Sequence, residues 1–94
     1  MNNEITDEKL DKYFAITKEA ISKVRFHKLS DEQQSIANDF FSMALNYFSD
    51  ADHFRKSGDY VSAFGALNYA HAWLDALARM KLIDVKDSRL FASD

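Results

Sequence analysis

The chain has 94 residues, 47% of them apolar and 14% aromatic, with a net charge of −3, two glycines, no proline and no cysteine. Those figures exclude a disulfide scaffold, a thiolate metal cluster and a cysteine nucleophile, and they separate the chain from disordered sequences, which are poor in apolar residues. One domain over residues 1–94 is expected, and the missing proline favours uninterrupted helix over a turn-rich β fold.

The N-terminal stretch, Met1-Asn2-Asn3-Glu4-Ile5-Thr6-Asp7-Glu8, is polar and acidic, so it does not read as a secretory leader. No apolar run approaches the ~20 residues of a membrane span. A cytoplasmic protein that binds neither membrane nor nucleic acid is therefore expected.

Thr6 is a good N-cap, and Asp7 and Glu8 follow it in the first turn, where the helix dipole favours negative charge. Leu10, Phe14, Ile21 and Val24 then recur at helical spacing, flanked by Tyr13, Thr17 and Ala20. The first helix is expected over residues 7–28. Its opposite face carries lysines, but six acids against two bases between Asp31 and Ser62 cancel any positive field.

Ser30-Asp31-Glu32-Gln33 is a capping box, which predicts a second helix over 31–57 with almost no linker before it. Ile36, Phe40, Met43, Ala44, Tyr47, Ala51 and Phe54 form its expected buried face. Gly58 then suits the left-handed position after a helix, and Asp59 suits the N-cap of the next. So short a connection makes an antiparallel hairpin. The third helix, 60–82, places Ala63, Ala66, Leu67, Ala70, Leu74, Leu77 and Ala78 on one broad face, with Tyr69, Trp73 and Met80 adjoining. Gly65, inside it, reads as a point of close approach or a weak spot. Beyond Leu82 the pattern degrades. Ile83, Val85, Leu90 and Phe91 sit among Asp84, Lys86, Asp87, Ser88 and Arg89, as a short extension folding back on the bundle would. The expected architecture is all-α: a three-helix antiparallel up-and-down bundle with a short C-terminal extension.

Several residues from Tyr47 to Arg79 carry a family resemblance: Asp50-Ala51, Phe54, Gly58-Asp59-Tyr60, Ala63-Phe64, Tyr69-Ala70-His71 and Trp73-Leu74-Asp75-Ala76. In these the chain resembles an archaeal family catalogued as domain of unknown function 357. The resemblance implies a three-helix bundle in an archaeal cytoplasm and implies no activity. At Ala72 and Leu77, near where that family often has glycine, this chain has larger residues. Gly58-Asp59-Tyr60 followed by Ala63 also resembles the turn of tetratricopeptide repeats and of the microtubule-interacting-and-transport bundle, whose hairpins grip partner helices. A single copy is no repeat array.

Asp50 and His53 on the second helix, with His71 and Asp75 on the third, are the one constellation that resembles metal chemistry. The weaker expectation is an accessory to an enzyme that holds a metal or ligand through Asp50, His71 and Asp75. The stronger is structural: Asp50 or Asp75 bonded to His71 or Asn68 across the hairpin. No catalytic set is visible. Arg25 is followed at once by Phe26-His27, Arg55 and Arg79 lack the histidine of helical nucleases, and no glycine-rich phosphate loop occurs. The expectation is therefore a non-catalytic protein without a cofactor, bound to a protein partner or to a second copy through the surface of the second and third helices. Tyr69 and Trp73 would supply affinity and Asp75 and Arg79 register, because tyrosine and tryptophan concentrate at such interfaces.

Overall fold

Three helices form as their caps dictate. In the computed structural model, which describes residues 4–86 and 89–91, α1 runs Asp7–Ser22, α2 Asp31–Lys56 and α3 Tyr60–Arg79. Residues 1–3, 87–88 and 92–94, with the leader and extension readings that fall on them, lie outside the described residues. Thr6 accepts from the Lys9 backbone, Ser30 and Gln33 close their box in both directions, and Asp59 accepts from the Ser62 backbone. The arrangement is an all-α bundle, up-down-up, with overall extents of 44 × 23 × 19 Å. The 26 residues of α2, at 1.5 Å each, span about 39 Å and so set the long dimension.

The first helix stops earlier than its apolar pattern suggests. Instead of continuing to 28, α1 ends at Ser22, and Val24-Arg25-Phe26-His27 alternate between half-buried and exposed. That period of two belongs to an extended segment, and the β-branched Val24 suits it. Phe26 forms an isolated antiparallel bridge with Ile83. His27 N–H donates to the Leu82 carbonyl at 3.0 Å and Asp84 N–H to the Arg25 carbonyl at 2.8 Å. The capping box at Ser30 therefore starts α2 without ending α1.

The hairpin of α2 and α3 is the most extensive contact. On α3 the seven residues expected to be buried are buried: Ala63, Ala66, Leu67, Ala70, Leu74, Leu77 and Ala78. On α2 the seam is narrower than expected: Ala44 and Ala51 of the expected face form it, joined by Ala37. Ala37, Ala44 and Ala51 are wholly buried, while Phe40, Met43 and Tyr47 are only partly so and Ile36 and Phe54 are exposed. Small side chains lie where the helices approach closest, and larger ones are pushed to the flanks. Leu82, Ile83, Leu90 and Phe91 close one end of the core, as the expected extension does. Leu10, Ala51, Ala63, Ala66 and Leu67 fill the other end.

The flanking aromatics join elements in pairs. Tyr13 meets Phe64 edge-on at 5.2 Å, Phe14 meets Phe48 at 5.6 Å and Phe26 meets Phe41 at 5.9 Å. Each such pair adds about 0.5–1.5 kcal/mol beyond the area it buries. At the α1 N-terminus a polar clasp does the same job. Tyr60 donates to Asp7 at 2.6 Å, and Arg55 reaches Asp11 at 2.6 Å and Asp7 at 3.3 Å. Arg55 also lies 5.4 Å from the centre of the Phe14 ring.

Gly58 has φ +85° and closes a Schellman turn, its N–H donating to Arg55 and that of Asp59 to Phe54. The end of α3 repeats this geometry with Lys81 at φ 58°, bonded to Ala78, and Leu82 bonded to Leu77. That backbone tends to end α3 at Arg79 rather than at Leu82. A side chain in the left-handed region costs roughly 1–2 kcal/mol. Gly58→Val is expected to lose about 1 kcal/mol or more, and Lys81→Gly to gain about 1 kcal/mol, in urea unfolding.

The clasp carries a pH signature. The Tyr60 hydroxyl first, and then the Arg55 guanidinium, hold the Asp7 carboxyl below its ordinary value of 3.8. A carboxylate depressed in the folded state stabilises above its unfolded value, and this contribution disappears as pH falls through the folded one. Asp7→Asn is expected to melt below the parent at neutral pH, with the gap closing as pH drops beneath about 3.8. A gap that stays constant with pH would remove the clasp as its source.

Candidate functional site

The sides of α3 have different neighbours and different chemistry. Towards α1 lies a cleft of about 380 Å³ lined by Tyr13, Ile16, Thr17, Leu67, Asn68, His71, Ala72, Asp75 and Arg89. His71 is its centre. Its Nε2 lies 2.6 Å from the Leu90 carbonyl and its Nδ1 lies 3.2 Å from the Thr17 hydroxyl. A carbonyl only accepts, so Nε2–H is the donor, and in the neutral ring Nδ1 accepts the Thr17 proton. One side chain thereby ties α1, α3 and the C-terminal segment together. Arg89 adds a second tie, donating to Glu19 at 2.8 Å, where Lys23 also binds at 3.0 Å. Arg89 first and Lys23 second hold the Glu19 carboxyl below its ordinary value.

These partners differ from those expected from the sequence. His71 bonds to Thr17 and Leu90 rather than to Asp50, whereas Asp75, expected near it, stands within ion-pair range on the same helix, its Oδ1 3.8 Å from Nε2. Asp50 lines the shallow groove towards α2 instead, together with Tyr47, Phe54, Ser62, Gly65, Ala66 and Tyr69. A metal held by Asp50, His71 and Asp75 is not supported: among the described residues no three histidine or carboxylate side chains gather as a ligand set. His53, on α2, is exposed.

The four expected partner residues are also divided. Trp73 is half-buried and packs edge-on against Phe40 at 5.0 Å, as part of the core. Asp75 belongs to the cleft on the α1 side. Arg79 is exposed at the end of α3. Tyr69 is 62% exposed, stacked on Tyr47 with ring centres 5.3 Å apart.

Tyr69 belongs to a line of residues that wheel analysis of the buried face passes over. Val61, Gly65, Tyr69, Ala72 and Ala76, with Met80 at the C-cap, follow one another at steps of three and four, so they share one face of α3, with Arg79 at its C-terminal end, about five turns from Val61. Val61 is 75% and Met80 53% exposed, and Ala72 is exposed between them. A signal was present in the sequence: α3 carries no charged residue between Tyr60 and Leu74. Gly65 is not a close-approach point within the chain, because a Cβ built on it meets nothing within 4 Å. A third opening, of about 400 Å³, is lined by Lys23, Arg25, Asp84, Lys86 and Phe91 beside the Phe26–Ile83 bridge.

The fold and these faces define a small all-α bundle with one helix left apolar on its outer side. No helix among the described residues is long and apolar enough to cross a membrane. The model of a family described as "Protein of unknown function (DUF357)" matches residues 12–83, and the chain belongs to that family. No curated protein and no solved structure is significantly similar to it.

Thr17 is 2% exposed, and Thr17→Val keeps its shape while leaving His71 Nδ1 without its partner. The expected loss is about 1–2 kcal/mol in urea unfolding. An unchanged midpoint would show that this bond contributes nothing to the closure of the bundle.

Proposed function

We propose that the protein is a non-catalytic interaction module whose outer α3 face, with its edge against α2, docks an apolar helix of a partner protein or of a second copy. One observation carries the reading. Val61, Tyr69 and Met80 stand 75%, 62% and 53% exposed along α3 and its C-cap, away from the side that Ala63, Leu67, Ala70, Leu74 and Leu77 bury. Large apolar side chains in scattered exposure need no explanation, but aligned on one helix face they form the anchors of helix-to-helix recognition. The stacking of Tyr69 on Tyr47 supports it, because a ring already held in place loses little freedom on binding. The face carries no lysine or arginine before Arg79, so neither phosphate nor an anionic membrane surface is its natural ligand. In this reading the protein is cytoplasmic and requires no cofactor.

The test is capture by the immobilised full chain from a lysate of the organism that encodes it, followed by titration with the purified partner. An anchoring tyrosine contributes about 2 kcal/mol or more, so Tyr69→Ala is expected to weaken binding by more than ten-fold. Thr17→Val, on the α1 side, is expected to leave it unchanged. Equal retention by parent and Tyr69→Ala would remove this face as the docking surface.

A further inference from the structure

We infer that the groove between α2 and α3 receives the guanidinium of an arginine side chain carried by the partner; this deepens the docking reading above and rests on it. The groove, of about 370 Å³, joins two kinds of surface: the rings of Tyr47, Phe54 and Tyr69, and the carboxylate of Asp50.

The carboxylate decides the sign of the ligand. Asp50 is exposed and, among the described residues, has no hydrogen bond or ion pair. The long cations of its own helix are engaged elsewhere. Lys56 lies 2.8 Å from Asp52, and Arg55 reaches across to Asp7 and Asp11. His53, one turn along α2, is exposed and makes no ion pair with it. On α3 the exposed Arg79 stands ten residues beyond Tyr69, about 15 Å along the axis. No lysine or arginine lines the groove, so a ligand that brings a positive charge meets a carboxylate with no other partner.

The rings decide which cation. An ammonium ion is compact and strongly hydrated, and an open groove offers little in exchange for its water. A guanidinium is flat and more weakly hydrated, stacks on aromatic faces, and forks onto a carboxylate through two parallel N–H donors. Tyr69 provides the platform. Its ring is stacked on Tyr47, with centres 5.3 Å and planes 23° apart, yet the residue remains 62% exposed. Phe54, 39% exposed, adds a third ring to the same groove. An apolar side chain would use the rings alone; a guanidinium uses the rings and the charge together. The fold already contains this combination once. Arg55 lies 5.4 Å from the centre of the Phe14 ring while it bonds to Asp7 and Asp11.

Titration of the full chain with N-acetyl-arginine methylamide, followed by NMR at the signals of Tyr47, Phe54, Gly65 and Tyr69, tests the site. Saturable shifts are expected, with a dissociation constant on the order of millimolar. N-acetyl-lysine methylamide is expected to bind at least about three-fold more weakly, and N-acetyl-leucine methylamide to leave the signals in place. Asp50→Asn and Tyr69→Leu are each expected to weaken the arginine derivative at least about five-fold. Both positions are exposed, so the circular dichroism of both variants is expected to match the parent. Absence of saturation, equal binding of the lysine or leucine derivative, or unchanged binding by Asp50→Asn would each overturn the inference. Its failure is separable from that of the docking reading by titrating the captured partner. Loss of affinity in Tyr69→Ala beside full affinity in Asp50→Asn would overturn the arginine site and keep the docking face. Equal affinity of the parent and both variants would remove both.

Discussion

The close approach of α2 and α3 is the constraint on which the rest of the molecule depends. Ala37, Ala44 and Ala51 recur every seven residues on one helix and meet the alanine-rich face of the other. Side chains this small fill little volume, so the two helices must come near each other to exclude water. That proximity leaves no room at the contact line for rings, and Phe40, Tyr47, Phe48 and Trp73 move to the flanks. There they pair across elements and widen an otherwise thin core. The same geometry decides what α3 presents outward. With one side committed to α2 and another to α1, Val61, Ala72 and Met80 stay exposed, and Tyr69 stacks on Tyr47 at the α2 edge.

Closure of the bundle falls to a different set of interactions. α1 is short, meets mainly α3, and is fastened at both ends by polar groups. At its start Asp7 and Asp11 receive Tyr60 and Arg55; further along, Thr17 and Glu19 reach His71 and Arg89. His71 is the informative member, because its two ring nitrogens address two different segments at once. A histidine that resembles a ligand by spacing is thereby engaged as a structural pin.

Much of this was legible before any coordinates. The caps at Thr6, Ser30 and Asp59 and the glycine turn at Gly58 are local chemistry, and each appears where its residues stand. The buried face of α3 was legible too, because its apolar stripe is broad and unambiguous. The end of α1 was not. Val24 satisfies a helical period and an extended one equally well, and the choice went to the extended form, in which Phe26 lies opposite Ile83 and pairs with it. On α2 Ala44 and Ala51 were read correctly as buried, while Ala37 was missed and Ile36 and Phe54 were placed inside, since a wheel favours large apolar residues and the contact favoured small ones.

By itself, then, the sequence determined the helices, their capping, their order and the hairpin, because these depend on residues within a few positions of one another. The tertiary structure decided where the dispersed groups went. It separated Asp50 from His71, placed Trp73 against Phe40 in the core, and left Tyr69 outside in line with Val61 and Met80. The physical reason is rotation about the helix axis: neighbouring residues differ by about 100°, so a change of one position in the packing line reassigns which side chains meet and which face water.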